Sequence, residues 1–266
     1  MFTFNFKLDT GDKNAGTVYL PTENSFDVPV IIYCHGFCGN RELYPTAKSL
    51  CDRAIKEGFA FVTFDFFGCG DTGGDYTQMT YSRWKDNLSE IVSWVIAQPF
   101  SKNSIIGCFS VSSGTTAALR MACEDDRLSF VISVATAVSA HIGIGEGGPA
   151  KLLADNFDSL MSGGTIKFFG IDFGLDFFID TVSKAPIHSL GEIKCPVLFL
   201  QGTADNIFRQ TDAMIAYNLL TYHDPKTKSA HIPVENGNHG LDNVALEAVE
   251  SIFEWLEGFL VANNTI

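Results

Sequence analysis

Three residues far apart in the chain have the side-chain types of a nucleophile, a base and an acid that could orient the base: Ser112, His239 and Asp205. A serine hydroxyl attacks poorly until an adjacent base takes its proton. Ser112 lies in Ser110-Val111-Ser112-Ser113-Gly114, between a short apolar run and an Ala-rich helical stretch. That strand–turn–helix setting matches a nucleophile elbow, usually G-x-S-x-G. Its tight turn needs small residues two places either side of the nucleophile. Around Ser112 these are Ser110 and Gly114, whereas around Ser110 they are Cys108 and Ser112, with no glycine. Ser112 is therefore preferred. Taken alone, the segment reads equally well as a Ser-rich helix N-cap.

The other two residues shift that balance. Asp205 ends Gln201-Gly202-Thr203-Ala204-Asp205, directly after the apolar run 197–200. His239 lies in Glu235-Asn236-Gly237-Asn238-His239-Gly240, after the next run and before the last helical stretch. Each alone could be an ordinary loop residue. Three suitable residues at three strand ends, in the order Ser, Asp, His, form the pattern of a hydrolytic triad. In it, His239 takes the Ser112 proton while Asp205 fixes the tautomer and steadies the imidazolium. Backbone N–H groups must also meet the developing negative charge. Ser113, next to the nucleophile, and Phe37, in the loop His35-Gly36-Phe37-Cys38-Gly39, are the expected donors. His35 is expected to bind loop backbone and not to act as a second base.

Side chains at strand ends need strands. Apolar runs at 29–34, 60–64, 104–109, 130–134 and 197–200 alternate with helical patterns at 43–57, 82–98, 114–124, 210–220 and 241–260; a strand is also expected at 229–234. Short apolar strands alternating with amphipathic helices indicate a mostly parallel sheet covered on both faces. Ligands then bind beyond the carboxyl ends of the strands. The alternation stops between Val138 and Ser189, where Gly-rich stretches flank apolar clusters including Phe168, Phe169, Phe173, Phe177 and Phe178. The expected organisation is one core, residues 1–137 and 190–266, with 138–189 inserted as a cap; additional core helices are the alternative. Phe173 and Phe177 are the expected pocket residues, although aromatic side chains also simply fill cores.

Several function classes drop out. The formal charge of −13 lacks the clustered Lys and Arg that nucleic-acid phosphates require. No segment reaches the ~18 uninterrupted apolar residues of a membrane span. The N-terminus alternates apolar and polar residues, unlike a signal peptide. Seven cysteines, an odd number scattered through strands and helices, suit reduced thiols and a cytoplasmic location. Gly68-Cys69-Gly70-Asp71-Thr72-Gly73 satisfies G-x-G-x-x-G, but no helix opens within it and no acidic residue follows at the next strand end, so no nucleotide cofactor is expected. Metal-ligand patterns are absent as well, and no metal is expected.

The segments His35-Gly36-Phe37-Cys38-Gly39-Asn40-Arg41, Phe64-Asp65-Phe66-Phe67-Gly68-Cys69-Gly70-Asp71 and Met79-Thr80 resemble the cinnamoyl and feruloyl esterases among small bacterial α/β hydrolases. Gly202-Thr203-Ala204-Asp205 and the Asn238-His239 loop extend the likeness. It implies the α/β-hydrolase fold and a serine esterase acting on small or aromatic carboxylic esters. The elbow departs from that group's G-H-S-x-G-G. Flanked by serine, and followed by Leu128-Ser129-Phe130, it is also similar to the acyl-carrier-protein thioesterases of bioluminescent bacteria. The expected partner is thus a small-molecule ester or thioester, with a homodimer left open. A thioesterase or acyltransferase is the alternative activity, and a non-catalytic binding protein the alternative from another class.

Overall fold

Val30-Ile31-Ile32-Tyr33-Cys34 buries every side chain on both faces, as a strand in the middle of a doubly covered sheet must. The computed structural model describes residues 1–9, 11–101, 104–139 and 148–262. In chain order its strands are β1 (Phe2–Lys7), β2 (Ala15–Leu20), β3 (Val30–Cys34), β4 (Ala60–Phe64) and β5 (Ile106–Val111). β6 (Phe130–Val134), β7 (Ile166–Phe168), β8 (Ile171–Phe173), β9 (Val197–Gly202) and β10 (Ala230–Val234) complete them. The helices are α1 (Pro45–Lys56), α2 (Tyr81–Ile96), α3 (Ser113–Glu124) and α4 (Pro149–Asp155). After these come α5 (Phe157–Met161), α6 (Leu175–Ser183), α7 (Gln210–His223) and α8 (Ala245–Ala262).

Eight strands form one sheet in the order β1-β2-β4-β3-β5-β6-β9-β10. The six from β4 to β10 run parallel, while β1 and β2 add an antiparallel edge. On one face Leu50 and Cys51 of α1 and Ile252 and Leu256 of α8 pack with Ile31, Phe109 and Ile132. On the other, Trp84 and Leu88 of α2, Ala118 of α3 and Ala216 of α7 pack with Ile32, Cys108 and Val131. The two cores bury alternate residues of the same strands, because successive side chains point to opposite faces. This is the α/β-hydrolase architecture, and all the expected strands and main helices are present.

The boundaries differ in informative places. β5 runs two residues past the expected apolar stretch, so Ser110 belongs to the strand and the turn is compressed into Ser112. The last helix starts at Ala245, not at 241, because Leu241 is left-handed (φ 60°) and a single 3-10 turn, Asp242–Val244, intervenes. A second such turn, Tyr76–Gln78, occupies the expected loop, capped by the Asp75 carboxylate accepting from the Thr77 amide. Between β6 and β9 the chain forms α4, α5, the antiparallel hairpin β7–β8 and α6.

Candidate active site

The junction of β5 and α3 is strained. Ser112 has φ 54° and ψ −123°, a backbone region that costs a non-glycine residue about 1–3 kcal/mol and persists only where its surroundings fix it. They do. The Ser112 amide donates to the Val134 carbonyl (2.9 Å), and the Ser112 carbonyl accepts from the Thr115 amide (2.8 Å) and hydroxyl (2.6 Å). Gly114 lets α3 approach the end of β3, since a Cβ there would lie 2.3 Å from the Cys34 carbonyl oxygen and 2.6 Å from that of His35. The two candidate serines are in different situations. Ser110 is buried and its hydroxyl donates to the Ile132 carbonyl (2.9 Å), whereas Ser112 lines a cavity.

The loop after β3 lies against the elbow. A Cβ on Gly36 would sit 3.2 Å from that of Ser112. Among the described residues, neither the Phe37 nor the Ser113 amide donates to a protein acceptor. For Ser113 this is the ordinary condition of a first-turn helix amide. His35 is fully buried, with Nδ1 2.9 Å from the Gly36 carbonyl and Nε2 accepting from the Phe66 amide (3.1 Å). Burial outweighs the Gly36 carbonyl and Asp65 and pulls its pKa down to about 4, so the ring is a neutral brace. The Gly-rich loop 68–73 wraps a carboxylate of its own. Asp65 accepts from the Arg41 and Asp71 amides (2.6 and 2.9 Å) and pairs with the Arg41 guanidinium, and Gly70 (φ 51°) leaves room for it.

Asp205 and His239 meet across the ends of β9 and β10. The backbones touch at Gly202, where a Cβ would lie 2.2 Å from the Gly237 carbonyl oxygen. His239 Nδ1 is 2.9 Å from Asp205 Oδ2 and 3.1 Å from Oδ1. Asp205 also accepts from the Ile207 and Phe208 amides (2.7 and 3.0 Å) and the Gln201 side-chain amide (2.7 Å). Its side chain is 0% exposed, that of His239 22%. Burial pushes the carboxyl pKa up, but the hydrogen bond and charge of His239 and the two backbone amides outweigh it, so the net shift is downward. Thr46, in the first turn of α1, secures the histidine loop by donating to the Gly240 carbonyl (2.8 Å) and to Asp242 (3.1 Å).

Ser112, Ser113, Phe37 and His239 all line one cavity of roughly 540 Å³, with Asp205 behind the imidazole. Its aromatic wall comes from Tyr44, Tyr81, Phe208, Phe168 and Phe169. Phe173 and Phe177, the expected pocket residues, are displaced one layer back. They are buried and stacked on each other at 4.1 Å, because the β7–β8 hairpin turns Phe168 and Phe169 to the cavity instead. Sequence reasoning also missed Gln201 and Tyr81. Gln201 could have been suspected from its place directly after the expected strand 197–200; nothing in the pattern around Tyr81 marks it.

Residues 10–162, more than half the chain, match the model of the X-Pro dipeptidyl-peptidase (S15) family. The chain belongs to the S15 family. This S15 protein is a serine hydrolase with the α/β-hydrolase fold. It is 25% identical over 220 residues, 70% of its own length and 75% of the relative's, to an uncharacterized 31.7 kDa Escherichia coli protein from the traX-finO intergenic region. Among solved structures it is similar to Est1E from Butyrivibrio proteoclasticus with bound ferulic acid (TM-score 0.73, 16% identity, 95% of this chain and 99% of that one). An esterase of Pyrococcus furiosus is similar too (TM-score 0.72, 18% identity, 97% and 91%). Identities this low carry the fold alone. Among the described residues, no helix of the S15 protein is long and apolar enough to cross a membrane.

Proposed function

We propose that this S15 protein hydrolyses carboxylic esters through an acyl-enzyme on Ser112, with His239 as base and Asp205 as its orienting acid. The observation that carries the reading is the one cavity lined by both Ser112 and His239, with Asp205 2.9 Å behind the ring. A proton on Nδ1, held by Asp205, leaves Nε2 to take the Ser112 proton and pass it to the departing alcohol. Ser112 Oγ adds to the acyl carbon, the Ser113 and Phe37 amides receive the charge of the tetrahedral intermediate, and its collapse breaks the acyl–alkoxy bond. Water, deprotonated by His239, then releases the acid and restores the serine.

Uncharged and aromatic substrates fit best. Among the described residues, the lining contains no Lys or Arg. The lining carboxylate, Asp242, is tied to Thr46. Segment 138–189 is read as a cap, supported by the Phe168 and Phe169 wall. The seven unpaired cysteines support a reducing, cytoplasmic setting. A second reading, acyl thioester hydrolysis or acyl transfer, is favoured by the same apolar walls, which would hold an acyl chain.

The test is labelling with a fluorophosphonate, which reacts only with an activated serine, followed by peptide mass spectrometry. The expected adduct is on Ser112 and disappears in His239→Ala. An adduct on Ser110, or none on folded protein, would overturn the assignment. Turnover of matched oxygen esters, thioesters and dipeptide amides then ranks the readings, and oxygen esters of aromatic acids should lead.

A further inference from the structure

Tyr81 opens α2, 32 residues from the elbow in sequence, yet its hydroxyl is 3.0 Å from Ser113 Oγ. The ring is buried between Trp84 (6.2 Å) and Phe177 (6.0 Å), with the Arg120 guanidinium 5.7 Å from its centroid. Arg120 is itself fixed. It donates to the Asp180 carboxylate (2.8 Å), the Asp180 carbonyl (2.6 Å) and the Lys184 carbonyl. Asp180 in turn accepts from the Ser82 amide (3.0 Å) and hydroxyl, next to Tyr81. The phenol is thereby held from α2, α3 and α6 at once.

We propose that Tyr81 is a positioning residue that holds the Ser113 amide on the developing oxyanion. The peptide joining Ser112 to Ser113 leaves the strained corner with its carbonyl held by the Thr115 amide and hydroxyl, and a small rotation of the first turn of α3 would shift the Ser113 N–H away from the oxyanion. A hydroxyl at the first helical position could bond its own neighbourhood. Here it is committed to a rigid ring on another helix, which resists that rotation. Tyr81 acts through Ser113 and touches no reacting atom. The inference rests on Ser112 being the nucleophile.

The test compares Tyr81→Phe, Ser113→Ala and the double variant on one activated ester, with fluorophosphonate labelling of each. Ser113→Ala keeps the amide and removes only the tether. Each single change is expected to lower kcat about tenfold, a fraction of the ~10²–10³ lost with an oxyanion donor altogether. KM should stay within about twofold and the double variant should be no slower than either single, because all three remove the same bond. Wild-type kcat in Tyr81→Phe, a rise in KM with kcat unchanged, or multiplying losses would each overturn the proposal. Should Tyr81→Phe fail to fold, Ser113→Ala alone must show the loss. A wild-type protein without a Ser112 adduct overturns the nucleophile assignment and this inference together, and that result is separable because it needs no variant.

Discussion

The strand-end loops and the segment between β6 and β9 are built by different means. At the strand ends, backbone meets backbone: Gly114 against Cys34 and His35, and Gly202 against Gly237, at spacings that exclude a methyl group. The segment between β6 and β9 meets the rest of the chain through side chains. Phe173 packs with Tyr76 and Phe37, and Asp180 pairs with Arg120. It leaves Phe157, Met161 and Phe169 exposed. Backbone contacts fix geometry to tenths of an ångström, which proton transfer and oxyanion binding need. Side-chain contacts can be exchanged without moving the frame. The proposed function accordingly puts the chemistry in the first region and substrate choice in the second.

That division can be broken most sharply at Ser112. Ser112→Ala is expected to lower ester kcat by at least about 10⁴-fold while the melting temperature holds or rises, since alanine loses only the hydroxyl. A modest loss would move the chemistry elsewhere. Phe177→Ala, in the inserted segment, should cost about 3–5 kcal/mol of stability by denaturant unfolding, as a buried stacked ring leaves a cavity. Gly114→Ala places a methyl against two carbonyl oxygens and should cost about 3 kcal/mol, with kcat falling in whatever protein folds. Phe169→Ala should change stability little, since the residue is 51% exposed, yet raise KM for aromatic esters about tenfold and for acetate esters little. Equal effects on both ester classes would remove the inserted segment from substrate choice.

The same division governs what could be read from the sequence. β4 has the bounds expected because Gly58 ends the preceding helical pattern and four of its five residues are apolar, the fifth being the β-branched Thr63. That Ser112, Asp205 and His239 would come together was legible because each follows a recognisable run, and topology alone places the ends of parallel strands on one rim. The inserted segment offered no such rule. Its phenylalanines share one composition, and only the hairpin decides that Phe168 and Phe169 face the cavity while Phe173 and Phe177 face each other. Tyr81 and Ser113 meet through the crossing of α2 on α3, which no local pattern encodes.

Acid should separate the two regions in order. His35 braces the loop beside the elbow, with a folded pKa near 4 against about 6.5 when unfolded. Between those values the unfolded chain holds a proton that the folded one lacks. Stability therefore falls as pH drops through this window, by at most about 1.4 kcal/mol per pH unit, and the loss levels off below pH 4. Asp180 behaves oppositely in range. Burial opposes its ionisation, but Ser82 and Arg120 outweigh that and hold its pKa below the ordinary carboxylate value. Its contribution is complete above that ordinary value and is lost only as pH falls through the lower, folded one. Hydrogen exchange, corrected for intrinsic rates, can read both. The Phe66 amide, which donates to His35 Nε2, should lose protection between pH 6 and about 4.5, while the Ser82 amide, which donates to Asp180, stays protected until pH is below about 4. Simultaneous loss at both amides would mean the two regions open as one unit, and the contrast between backbone-built and side-chain-built parts would then have no energetic content.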